Sequence, residues 1–204
     1  MTEHDRLHAP APLALPSAAF APRMRPPARR AALGALAAGA AALATGCASI
    51  DPTAYSSERP VLDLKTYFDG DIDAWGMFQD RAGKVVRRFT VKMKGTWVGD
   101  TGTLDEDFMY SDGKKEKRVW TIRKLPQGRY VGTAADVVGE AQGVASGNAL
   151  NWRYTLALNV DGTVWNVDFD DWMYLVDERV MLNRATMSKF GVRLGEVLLS
   201  FTKR

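Results

Sequence analysis

The sequence predicts an all-β fold over residues 72–204, an antiparallel up-and-down barrel of about 8–10 strands. Three observations predict it. Apolar and polar residues alternate with period two from Asp71 onward. Gly, Asp and Asn clusters cut that alternation at hairpin-like intervals, and no segment carries the period of a long amphipathic helix. So many strands sit poorly in one open twisted sheet, which makes closure the expected outcome.

The strands follow in order. Trp75-Gly76-Met77-Phe78 lies on the first. On the second, Phe89, Val91, Met93, Gly95 and Trp97 share one face while Arg88, Thr90, Lys92, Lys94 and Thr96 share the other, as in a half-buried strand. The third sets Leu104, Glu106, Phe108 and Tyr110 against Thr103, Asp105, Asp107 and Met109. A turn at Gly99–Gly102 would place Lys94 opposite Asp107 outside and Trp97 opposite Leu104 inside. Further strands are expected at about Lys115–Lys124, Arg129–Ala134, Val137–Ala145, Ala149–Leu158, Val164–Val176, Val180–Lys189 and Val192–Thr202. Gly139 and Gly143 are expected to bend the Val137–Ala145 strand.

Ahead of the barrel, MRPPARRAALGALAAGAAALATGC has the three-part form of a secretory signal, with a functional start at Met24. Its apolar run, Ala31–Ala44, falls short of the roughly 20 residues that span a bilayer. Leu43-Ala44-Thr45-Gly46-Cys47 resembles the lipobox of bacterial lipoproteins. That resemblance implies cleavage before Cys47 and acylation of its thiol and new amino group, with general secretion favoured over twin-arginine export. The expected layout is a leader over residues 1–46, then a lipidated cysteine and tether over 47–71. Tyr55 and Tyr67-Phe68 are the tether residues suited to docking on the barrel. Ala48 after the cysteine, by analogy with enterobacterial sorting, points to the outer membrane, facing the periplasm.

Locating the charges removes one class of partner. The net charge of +3 arises in the leader, where Arg6, Arg23, Arg25, Arg29 and Arg30 face only Glu3 and Asp5; beyond Cys47 the count is 22 basic against 22 acidic. A neutral domain has no electrostatic case for nucleic acid. Both histidines, His4 and His8, precede Cys47, the sole cysteine. The domain therefore lacks the side chains for Ser-His-Asp or Cys-His catalysis, His- or Cys-ligated zinc and disulfides, and no cofactor is expected.

Candidate site residues come from breaks in the alternation. Glu106 lies on an otherwise apolar face, and Arg118, sharing the parity of Trp120 and Ile122, is placed to reach it. Trp97, Trp120 and Trp152 belong to a set of six tryptophans, mostly at inward positions, that fill the core or line a cavity. In DFDDWMYL, Asp171 is expected to meet Arg184. Asp168, Asp170 and Asp171 alternate in direction, a poor arrangement for hydrolysis or a hard cation.

Trp75-Gly76-Met77-Phe78 with the late Arg193, Lys203 and Arg204 resembles the lipocalin pairing of an early tryptophan with a late arginine, in reversed order, so the barrel is expected to be calycin/lipocalin-like. Trp75-Gly76-Met77-Phe78-Gln79-Asp80-Arg81 with Gly83, Asp171-Trp172-Met173, and Asn183-Arg184 through Met187-Ser188-Lys189-Phe190-Gly191 resemble proteobacterial envelope lipoproteins catalogued as domain of unknown function 3833. That resemblance implies an envelope lipoprotein and transfers no activity. The expected function is a lipid-anchored barrel that binds a lipid or other amphipathic small molecule, held to the membrane through acyl chains on Cys47. A filled barrel acting through its surface is the alternative, and a carboxylate-dependent hydrolase the second alternative.

Overall fold

The computed structural model describes residues 50–160 and 162–204; Cys47 and the leader lie outside them. The described residues form β1 (Gly70–Asp80), β2 (Val85–Val98), β3 (Thr101–Tyr110), β4 (Lys115–Leu125) and β5 (Arg129–Thr133). They continue as β6 (Ala141–Ser146), β7 (Ala149–Val160), β8 (Thr163–Leu175), β9 (Val180–Lys189) and β10 (Val192–Lys203). Each strand pairs antiparallel with the next, and β1 pairs with β10 to close the barrel. Closure satisfies both edges that an open sheet would leave unpaired.

Period two decides which residues face in. On β2, Phe89, Val91 and Met93 are buried between exposed Arg88, Thr90, Lys92 and Lys94. The outer wall carries ion pairs such as Lys92 to Asp73 at 2.6 Å and Lys117 to Asp107 at 3.1 Å, as suits a wall that meets water. Among the described residues, no helix is long and apolar enough to cross a membrane.

Three local expectations are corrected. The β2–β3 turn is the two-residue Gly99-Asp100, with Val98 opposite Thr101 and a positive φ of 59° at Gly99. The register therefore sets Lys94 against Asp105, Lys92 against Asp107, and Trp97 against Gly102, whose missing side chain leaves room for the indole 2.5 Å from where a Cβ would stand. In the expected Val137–Ala145 strand, Val137 forms only an isolated bridge to Leu156, Gly139 sits in a turn, and regular pairing begins at Ala141. Gly143 pairs with Tyr130 and Trp152, and its missing side chain leaves room for the Trp152 ring. Lastly, Trp97, Trp120 and Trp152 face inward, but Trp75 and Trp165 are exposed, and Trp172 stacks on Tyr174 outside, where Tyr55 covers it.

Residues 51–69 pack against the barrel. Pro52–Tyr55 forms a 3-10 turn on the outer wall. A single helical turn, α1 (Leu64–Tyr67), then crosses one end of the barrel, capped by Asp63 accepting from the Thr66 amide at 2.9 Å. Leu62, Leu64, Tyr67 and Phe68 are each 3% exposed. Lys65 Nζ donates to the Gly99 carbonyl at 2.8 Å and Tyr67 Oη to the Arg179 carbonyl at 2.9 Å, tying the plug to two separate turns. This end is the base. The other end, ringed by residues 81–84, 111–114, 134–140 and 190–191, is the mouth.

Candidate functional site

Burial of the inward-facing side chains varies along the lumen. Ile72, Val91, Leu150 and Met181 are at most 1% exposed. Toward the mouth, Phe78, Phe108, Tyr154, Leu158 and Met187 face inward and are only partly buried, interspersed with the buried Phe89, Tyr110, Leu156, Val167, Phe169 and Val197. Trp97 and Met173, toward the base, are also partly buried. Ten strands enclose more space than the eight that side chains alone can fill.

An ionisable cluster sits in the lumen, contributed by four elements. Glu106 on β3 is directly opposite Arg118 on β4, but their closest approach is 3.9 Å. Arg118 gives its hydrogen bonds to Asp136 of the β5–β6 loop, from Nε at 3.0 Å and from Nη2 at 2.7 Å. Its guanidinium also lies 5.5 Å from the Phe108 ring centre. Asp171 on β8 accepts from Asn183 Nδ2 and, at 3.4 Å, from the Tyr154 hydroxyl. Around them, Tyr154 stacks on Phe169 at 5.0 Å and meets Trp120 edge-on at 5.6 Å, with Trp152 beyond.

The surroundings fix the protonation. Burial raises Glu106 to about 7, the Arg118 charge opposing only in part and Asp136 adding to the rise. Burial likewise raises Asp171 to about 7, against its hydrogen bonds from Asn183 and Tyr154. For Arg118 burial works against the charge, but the Asp136 hydrogen bonds and the Glu106 carboxylate hold its pKa above the ordinary arginine value. Burial also raises the Tyr154 hydroxyl well above 10. The site is thus a cluster of the buried Glu106, Asp171 and Arg118, with Asp136 joining it from a more exposed position.

The structure brings Glu106, Arg118, Trp120, Trp152 and Asp171 together inside the barrel, with Trp97 inside but partly buried on β2. It does not bring Arg184. Asp171 is opposite Ala185, so its neighbour Arg184 points outward and pairs with Glu196 at 2.9 Å, and Asn183 meets Asp171 instead. Asp168 and Asp170 also point outward, accepting from Thr155 at 2.7 Å and Asn151 at 2.6 Å. Sequence reasoning missed Asp136, which lies in a loop where parity gives no direction. It also missed Asn183, a polar residue between inward Met181 and Ala185 that bears the same signal as Glu106. Among the described residues, no group of three acidic, His or Cys side chains is arranged to hold a metal.

A separate apolar groove of about 660 Å³ runs along the outer wall, lined by Trp75, Met77, Thr90, Met109, Leu198 and Ser200 among others. The six named side chains come from β1, β2, β3 and β10 and point away from the lumen, while the inward-facing Phe89, Tyr110 and Leu199 also border the groove.

No curated protein matches the sequence. Two solved structures have similar barrels. One is an S-type phycobiliprotein lyase from Guillardia theta, with a TM-score of 0.51, 6% identity, and coverage of 70% of this chain and 93% of that one. The other is a protein of unknown function from the DUF3598 family of Nostoc punctiforme, with a TM-score of 0.50, 10% identity and coverage of 72% of this chain. The match spans 51% of the Nostoc protein's length. At these identities the likeness is one of fold. The match that reaches furthest along the sequence is to the family described as "Protein of unknown function (DUF3833)", over residues 41–203, and this chain belongs to that family.

Proposed function

We propose that the protein is a lipid-anchored envelope lipoprotein whose barrel takes a lipid or other amphipathic small molecule in through its mouth. The observation that carries this reading is the ionisable cluster buried inside a closed ten-strand barrel. Partly buried aromatic and aliphatic side chains, Phe108, Tyr154 and Leu158 among them, lie around it, and residues 62–68 pack across the base. Such a lumen offers apolar walls for a chain and Glu106, Arg118, Asp136 and Asp171 for a polar group. The phycobiliprotein lyase shares this fold, and no residue role is carried over from it.

Native mass spectrometry of the protein released from its own membrane in mild detergent tests the reading. The expected result is a species heavier than the acylated chain by one small molecule, and a Leu158→Trp substitution at an inward site should remove it. Acylated chain alone, before and after incubation with lipid extract, would overturn it. The anchor is tested separately by Cys47→Ser, which should move the protein from the membrane to the soluble fraction, because each buried methylene contributes about 0.8 kcal/mol.

A second reading, a barrel acting through its surface, is favoured by the outer groove of about 660 Å³. A photocrosslinker at Met109 should then capture an envelope protein in intact cells, and recovery of the monomer alone would count against that reading.

A further inference from the structure

We infer that the polar group received in the lumen is cationic, so that the occupant is an amphipathic amine or ammonium compound rather than a fatty acid or other anion. This rests on the ligand reading above and names the class of ligand. With its carboxyls ionised, the lumen's charges do not balance. Glu106, Asp136 and Asp171 face it from β3, the β5–β6 loop and β8, and Arg118 from β4 is the one cation among them. Arg118 is already committed to Asp136 through Nε and Nη2. Glu106, 7% exposed, has Arg118 no closer than 3.9 Å and otherwise the neutral Trp120 indole N–H, and Asp171, 6% exposed, accepts from the neutral Asn183 and Tyr154.

Among the described residues, the rim cations Arg87, Lys114 and Lys189 are held by partners of their own. Arg87 pairs with Asp112 at 2.8 Å and lies over the Tyr110 ring, while Glu116 pairs with Lys114 at 2.5 Å and accepts from Tyr110 at 2.7 Å. These two pairs cancel, and Lys189, at the mouth end of β9, is turned onto the Trp165 ring at 4.5 Å and the Asn166 carbonyl at 3.4 Å. Deeper in, the Phe108 ring already lies 5.5 Å from the Arg118 guanidinium, a face that favours cations over anions, while Tyr154 turns its hydroxyl to Asp171. Above neutrality, where Glu106 and Asp171 are ionised, an anionic head would enter a lumen with excess negative charge, whereas an ammonium would complete it.

A pH dependence follows. A cation binds the ionised carboxylates, so it must draw off the protons that Glu106 and Asp171 hold near neutrality. Isothermal titration of the full protein with dodecylammonium, dodecanoate and dodecanol, each below its micellar concentration, separates the possibilities. Dodecylammonium should bind at least about ten-fold tighter than dodecanoate at pH 8, and its affinity should fall about ten-fold toward pH 6. Glu106→Gln and Asp171→Asn should each reduce that preference several-fold while leaving dodecanol binding in place, which distinguishes loss of charge from loss of folding. Dodecanoate binding as tightly as dodecylammonium at pH 8 would overturn the cationic assignment while leaving the ligand-binding barrel standing. If none of the three binds, the ligand-binding barrel falls, and the cationic assignment with it.

Discussion

Replacing Glu106 by Gln should stabilise the protein, by an amount that grows as pH rises from 4.5 and is complete above neutrality. Glu106 is a buried carboxyl whose pKa rises from 4.5 to about 7 on folding. At about 1.4 kcal/mol per tenfold change in the proton equilibrium, that difference is worth about 3 kcal/mol. The sign follows from which state holds the proton. Below pH 4.5 the carboxyl is neutral in both states and folding is not opposed. As pH rises toward 7 the unfolded chain ionises freely while the folded one cannot, so stability is lost through that window. The substituted glutamine has no proton to lose. Urea unfolding followed by tryptophan fluorescence should show wild type and variant within about 1 kcal/mol at pH 4.5, and the variant ahead by about 3 kcal/mol at pH 8. Asp171 titrates in both proteins and cancels from the difference. A variant less stable than wild type at pH 8 would refute the reasoning, since it would mean that Arg118 holds Glu106 as a stable anion.

Other substitutions probe the wall, the packing and the plug. Arg184→Ala should cost no more than about 1 kcal/mol in the same assay and leave ligand binding unchanged, because the arginine sits on the outer wall and Glu196 keeps Arg193 at 2.9 Å. Gly143→Ala should cost about 1–3 kcal/mol, read as a lower thermal midpoint, because the added methyl meets the Trp152 indole. Asp63→Ala removes the α1 cap together with the partner of Lys124 and Tyr130. It should lower stability by about 1–2 kcal/mol and raise amide exchange across residues 62–68 before the strands are affected.

How much of this was legible in the sequence differs between wall and lumen. The wall was legible because strand parity is local: the alternation along Phe89 to Trp97 and along Leu104 to Tyr110 names the inward face without knowledge of any partner. For the same reason Glu106 and Arg118 stood out as charges at apolar positions. What parity cannot give is the register between strands. A two-residue turn at Gly99-Asp100 moves every cross-strand partner by two, and the expected Asp171–Arg184 pairing fails because the two residues lie on opposite faces. Nor does it reach into loops, which is why Asp136, the closest partner of Arg118, went unseen. The plug was only half legible. Tyr67-Phe68 announces burial, but the fit of Phe68 against Gly95 depends on a tertiary approach that no local pattern encodes.

Whether the barrel holds a ligand is decided by a crystal structure of the protein purified with the contents of its own membrane. Electron density is expected in the mouth half of the lumen, running past Phe108 and Leu158, with its polar end within hydrogen-bonding distance of Glu106 or Asp171. Empty space closed by inward-turned side chains, with Arg118 moved onto Glu106, would contradict a ligand-binding barrel.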